Sequence, residues 1–397
     1  MTAISNTEAP APALTLFERG FRPFFLLAGL HATLWLVAWV SVLQGWLDAP
    51  DGWPPSTLHG HEMIFGFASA ALAGFLLTAV PSWTNSGPLR GWKLALLVLL
   101  WLAARVAAAS GLDAWVYAVL DLAFVPALFA AVGPGIIARN FKRNGVVLVV
   151  LAAIFTANAG VHLAVLGAPF VSARWGNELG LAIFILLIAI IGGRIIPPFT
   201  VGGMRMAGRP VEFAPTPWLD RAVIAVTAAF VASLAIDLPE RVVGIAAGVA
   251  ALVNGARLLR WRSLSTLRVP LVWVLHLGYA WLVLGLAAAT GAWLGAWPKV
   301  VALHALGAGA VATMVLAVMS RASLGHTARK LVASRPTTIA YLLVTIGAAG
   351  RVAASLFDID VAFFLPAAGL IWAAGFLLYL VVYIPILCRP RVDGRPG

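Results

Sequence analysis

Residues 144–166 read NGVVLVVLAAIFTANAGVHLAVL. None of these side chains carries a fixed charge. At a rise of about 1.5 Å per residue, the run is long enough to cross a hydrocarbon core of about 30 Å. Lipid offers no partner to a bare peptide group, so a segment of this kind must satisfy its own backbone and is a helix. It carries one imidazole, His162, toward its end and one amide, Asn158, within it.

The same reading extends along the chain. Apolar runs bounded by Pro, Gly or charge fall at 22–45, 58–80, 91–110, 113–135, 144–166, 175–197, 217–236, 239–258, 270–293, 297–320, 336–356 and 360–388. Pro385 is expected to end the last of them early. Of the 397 residues 62% are hydrophobic and 11% charged, with a mean hydropathy of +0.96. A soluble domain carries about 25% charged residues, and that deficit excludes one here. The fold class is therefore all-α integral membrane, a bundle of about twelve transmembrane helices. Residues 22–388 form the membrane domain, between an N-terminal segment, 1–21, and a tail, 389–397. The polar first sixteen residues lack a basic start and do not read as a cleaved signal. The lone cysteine, Cys388, rules out an internal disulfide.

The formal charge of +12 is distributed by loop. Arg90, Lys93, Arg139, Lys142, Arg143, Arg205, Arg257, Arg260, Arg329 and Lys330 fall on one side of the predicted bundle. The other side holds Arg174, Arg241 and Lys299, diluted by Asp48, Asp51, Asp113, Asp237, Glu240, Asp358 and Asp360. The positive-inside bias places both termini in the cytoplasm. The basic surplus is a topology signal that also attracts anionic lipid headgroups of the bilayer, not a footprint for nucleic acid. A parallel internal repeat is expected: 59–110 and 304–355 each open on a histidine and close on an Arg-Val-Ala-Ala run, around Arg105 and Arg351.

There are seven histidines. By predicted depth His59, His61, His162 and His304 share the outer third of the membrane. Four imidazoles at one level, with almost no thiolate nearby, suit copper, haem iron or zinc, and the missing thiolates argue against an iron–sulfur cluster. A single membrane histidine is often just a hydrogen-bonded core residue; the grouping favours ligation. His59 and His61 cannot face one way on a regular helix, but Pro54 and Pro55 can bend the chain there. His276 and His326 lie at the other face, as a second site or as helix caps, and His31 stands alone as a core residue. Glu62 is placed to orient His61. Arg194 and Arg321 either hold anionic groups such as haem propionates or snorkel as cytoplasmic anchors. Arg105 and Arg351 are expected to pair with Asp113 and Asp358. No phosphate loop, dinucleotide fingerprint or serine elbow is present, so chemistry here belongs to a bound metal or cofactor.

Six blocks carry a family likeness. They are Phe17–Phe25 (FERGFRPFF), His59–Phe67 (HGHEMIFGF), Thr78–Thr84 (TAVPSWT), Gly192–Pro197 (GGRIIP), Leu303–Leu306 (LHAL) and Met319–Thr327 (MSRASLGHT). In order and over nearly the whole chain, this pattern resembles the NnrS family. Gly60, Ser82 and Ser320 depart from it only between the key residues. The resemblance implies a twelve-span protein of the bacterial inner membrane that carries haem (haem b) and copper and acts in the nitric oxide response, often alongside denitrification.

Reducing two nitric oxide molecules to nitrous oxide takes two electrons and two protons. Glu62, Glu178 and Asp121 are the membrane carboxylates available for proton delivery, with Glu62 the catalytic candidate. Electrons would come from quinol or an electron-donor protein. His304 and His162 lie deeper and suit iron; His59 and His61 suit copper, with His276 the next axial candidate and His326 a further metal ligand. Two other functions stay open: a non-catalytic haem protein that buffers nitric oxide, and a copper transporter.

Overall fold

The computed structural model describes residues 15–359 and 361–395. The expectations placed on residues 1–14, on Asp360 and on the last two residues lie outside the described residues. Among the described residues twelve apolar helices are long enough to cross a membrane: α1 Phe21–Leu43, α2 Pro55–Thr84, α3 Trp92–Ala109, α4 Ala114–Arg139, α5 Val146–Val165, α6 Ala173–Met206, α7 Pro217–Ala235, α8 Glu240–Arg260, α9 Pro270–Trp293, α10 Lys299–His326, α11 Arg335–Leu356 and α12 Ala362–Cys388. Among the described residues there is no strand. With an even number of spans, both chain ends lie on one side, here the terminal side; the opposite side carries the starts of α2, α6 and α10.

Local chemistry sets the ends. Proline opens α2 (Pro55), α7 (Pro217) and α9 (Pro270), where its missing N–H costs nothing. Asp113 accepts from the Trp115 N–H at 2.8 Å and Ser172 from the Trp175 N–H at 3.1 Å, capping α4 and α6. Two helices run further than expected. α6 continues through Pro197 and Pro198 to Met206, and α12 continues through Pro385 to Cys388. In lipid, breaking a helix strands several peptide groups, whereas an interior proline loses one hydrogen bond, so the helix continues.

α2, α6, α9 and α10 are the most enclosed helices, while α1, α7 and α11 turn most of their surface outward. Leucines such as Leu34, Leu96, Leu252 and Leu284 are exposed on the outside, as a lipid-facing surface requires.

The repeat is real but its register is not the one read from the sequence. In α2 a short helix ends at His61 and is followed by a π-helical segment, Glu62–Ala68. In α10 a short helix ends at His304 and is followed by a π-helical segment, Ala305–Val311. His304 thus corresponds to His61, not to His59. The same offset carries the start of α3 at Trp92 onto the start of α11 at Arg335. In this register Arg105 aligns with Ala348, and Arg351 falls elsewhere on its helix, so the two arginines are not equivalent.

Candidate metal and cofactor sites

Residues two apart on a helix diverge by about 200°. His59 and His61 lie in the regular turns of α2 before its π segment, and they face different surroundings. The predicted bend does not occur. The four outer histidines separate into two pairs, one on each side of α2.

His61 points toward α4 and α5. Its Nε2 lies 2.7 Å from Asn158 Oδ1 and 3.3 Å from Asp121 Oδ2. His162 Nε2 lies 3.0 Å from the same Asp121 oxygen. One ligand atom from each of His61, Asp121 and His162 falls within 4.8 Å of the others, and all three residues are buried. The i, i+4 spacing of Asn158 and His162 on α5 places both on this face, and the same spacing on α4 does so for Tyr117 and Asp121. Tyr117 donates to Glu62 Oε1 and lies 2.9 Å from His61 Nδ1. Arg105 pairs with both Glu62 and Asp121. His31 Nε2 is 3.1 Å from Glu62 Oε2. Trp53, from the loop between α1 and α2, closes the group against the rings of His61, Tyr117 and His162 at 5.1–5.3 Å.

Charge balance constrains this cluster. Two buried carboxylates face one buried guanidinium, so a further positive charge would balance the cluster. With the tyrosine proton given to Glu62, His61 Nδ1–H donates to the tyrosine oxygen and turns Nε2 toward two acceptor oxygens. That atom must be protonated there or meet a cation. His162 Nδ1 is also buried with no hydrogen-bond partner. Two imidazoles and a carboxylate suit copper(II), zinc or iron(II).

His59 points the other way. Its ring stacks on Trp39 at 4.5 Å, and its Nδ1 is buried without a partner. With His304 it lines a cavity of about 490 Å³ between α1, α2, α6, α10, α11 and α12. The walls are apolar, among them Phe67, Phe184 and Trp372, and Arg174 and Arg351 also border it. The His304 Nδ1–H donates to the Val300 carbonyl at 2.9 Å, which leaves the Nε2 lone pair free. Gly307 keeps its part of the wall flat, since a Cβ there would meet only Leu181 at 3.8 Å. An apolar cavity with two imidazoles and the Arg351 guanidinium, beside the Arg174–Glu178 ion pair, fits a flat, anionic macrocycle such as haem.

The NnrS protein family matches residues 15–391, a span that takes in both pairs of histidines. The chain belongs to the NnrS family. No curated protein matches it. This NnrS chain is accordingly a multi-pass membrane protein of the nitric oxide response.

Several residues fall differently in this NnrS protein than their sequence suggested. Depth grouped His162 with His304 and His59 with His61; the structure pairs His61 with His162 and His59 with His304. His31, expected to be a lone core residue, joins the buried network through Glu62. Arg105 pairs with Glu62 and Asp121 instead of Asp113, and Arg351 donates to Ser355 instead of reaching Asp358. His276 meets the Thr200 and Ser263 hydroxyls, each at 2.9 Å, and joins neither pair. His326 is exposed on the terminal side, where its ring lies 5.5 Å from Phe21. Arg194 is exposed, and Arg321 lies 4.0 Å over the Phe199 ring; neither borders the cavity or the buried cluster. Sequence reasoning missed Tyr117 and Trp53 entirely. The helical spacing of Tyr117 and Asp121 was available as a signal, but nothing local marks Trp53 as a lid.

Proposed function

We propose that this protein holds haem b in the cavity bordered by His59 and His304, holds copper at His61, Asp121 and His162, and removes nitric oxide by reducing it to nitrous oxide. The observation that carries this reading is the two imidazole sets on opposite faces of one helix, α2, one buried beside Asp121 and one lining an apolar cavity. The balanced reaction joins two nitric oxide molecules with two electrons and two protons, giving nitrous oxide and water. Bound haem would supply an iron that ligates nitric oxide and exchanges electrons singly; bound copper would supply a second redox-active cation on the other face of α2.

The chain's own residues have definable tasks. His304, fixed by Val300, turns its Nε2 lone pair toward the cofactor. Arg174 and Arg351 would offer charge to its carboxylates. Asp121 and the two imidazoles of the other pair form a hard, anionic seat for a cation. Glu62 keeps His61 in one tautomer through Tyr117. Glu178, bonded to Arg174 at 2.7 Å on the cavity's border, and Glu62 are the carboxylates that would pass protons inward. Nitric oxide is small and neutral, so it reaches such sites through lipid and needs no polar channel. Residues 22–388 act as one unit in the bacterial inner membrane, with both termini cytoplasmic and electrons arriving from quinol or a donor protein.

Pyridine-haemochrome and metal analysis of the purified protein tests the cofactors. Anaerobic gas analysis with nitric oxide and a reductant tests turnover. A colourless, metal-free protein that still protects cells from nitric oxide would overturn the reading. Nitric oxide binding without nitrous oxide release would favour a buffering role instead.

A further inference from the structure

A second cavity, of about 550 Å³, lies between α1, α3 and the loop that joins α1 to α2. It runs from Leu27, in the first third of α1, to Val42 and the loop residues Asp48 and Asp51, so it is a groove along α1 and not a spherical void. Leu30, Leu34 and Val106 border it and are exposed on the lipid side, so the groove opens laterally. Its inner end is different in character. His31, Trp35 and Trp101 meet there, with the His31 ring stacked on Trp35 at 5.6 Å and edge-on to Trp101 at 5.5 Å.

The Arg105 guanidinium, paired with Glu62 and Asp121, borders this end, and two further polar atoms belong to it. His31 Nε2 faces two acceptors, the Glu62 carbonyl at 3.3 Å and Glu62 Oε2 at 3.1 Å, which hold its hydrogen there and leave Nδ1 with the lone pair, a hydrogen-bond acceptor. Trp35 Nε1 is a buried donor without a partner. A lipid acyl chain in the groove would leave both atoms unsatisfied, which is unfavourable in an apolar setting. A phenolic hydroxyl, both donor and acceptor, carries the two functions these atoms call for. The flat aromatic end accepts a ring, and the leucine-walled groove accepts an apolar tail.

We infer that this groove is a binding site for an isoprenoid quinol, with the head group held by His31 and Trp35 and the tail laid between α1 and α3. Trp39 and His59 border this groove and the larger apolar cavity alike, so the head group would lie next to the proposed cofactor seat. Oxidation of one quinol to the quinone releases the two electrons and two protons that two nitric oxide molecules take up. The assignment of the quinol as reductant rests on the proposed function; its binding does not.

Calorimetric titration of the intact, delipidated protein with a decyl-tailed benzoquinol is the test. The wild type should bind one equivalent, and His31→Leu and Trp35→Phe should each weaken binding about tenfold, the loss of one buried hydrogen bond. Val106→Trp, on the exposed flank, fills the mouth without touching either polar atom and should weaken binding similarly. It decides the matter if His31→Leu fails to fold. No binding by the wild type, or equal affinity in the folded variants, overturns the site. Nitrous oxide formed with an artificial reductant but without quinol binding removes this inference alone. Quinol binding without nitrous oxide formation keeps the site and removes the reductase reading.

Discussion

His59 and His61 stand two residues apart, and that spacing on an unbent helix sends them to different partners. Their substitutions should therefore separate. His61→Ala or His162→Ala removes one of three donors from the carboxylate site and should abolish its bound metal while haem is retained. His304→Ala should do the reverse. Metal and haem assays on the same preparations check both, and joint loss in every variant would argue for one shared site. Gly66 is the other informative residue. A Cβ there would lie 2.5 Å from Arg105 Nη1, 2.8 Å from His31 Nε2 and 3.0 Å from Glu62 Oε2. The buried ion network closes only because this position has no side chain. Gly66→Ala should destabilise the protein by about 2 kcal/mol through overpacking, seen as a lower midpoint in thermal unfolding. Wild-type stability would show that the network relaxes freely.

The elements that decide geometry are the two π segments, which begin immediately after His61 and His304. A π turn carries an extra residue, so it rotates the helix on its N-terminal side relative to the helix on its C-terminal side. Deleting Met63 should restore regular α-helix and turn His59 and His61 away from their partners. Both cofactors should be lost while circular dichroism stays helical; retained haem would mean that the π turn is not what aims them. At the terminal side, Arg22 is fully buried and donates to the Leu387 and Arg389 carbonyls at 2.7 and 2.8 Å. It closes the end of α12 against the start of α1. Arg22→Leu leaves those carbonyls unpaired and should cost about 3 kcal/mol, the worth of hydrogen bonds from a charged donor. Denaturation in detergent measures this directly.

For the whole molecule, the twelve spans among the described residues put both ends of the bundle on one side, and the distribution of Lys and Arg is the ground for proposing that this side is cytoplasmic. A fluorescent-protein fusion after Cys388 should therefore glow, and a periplasm-dependent phosphatase inserted at Gly111 should be active. The opposite result at both positions would invert the bundle. The donor sets lie near the opposite side, one between α2, α4 and α5 and the other between α2 and α10, whereas the groove between α1 and α3 opens toward lipid through exposed leucines.

The number of spans, the charge asymmetry and the family are legible in the chain alone, because each is a property of short segments. Lipid imposes its hydrogen-bond requirement segment by segment, and apolar runs such as 144–166 state their answer locally. Depth is legible for the same reason: it comes from counting residues along a helix. Azimuth is not. Which way His59, His61, His162 and His304 face depends on how each helix is rotated against its neighbours and on two π turns that no local pattern announces. Counting along the spans put four imidazoles at one level. Only packing of α2 against α4 and α5 on one side, and against α6 and α10 on the other, divided them into a carboxylate-bearing set and an apolar cavity, and brought His31 and Glu62 together from separate spans.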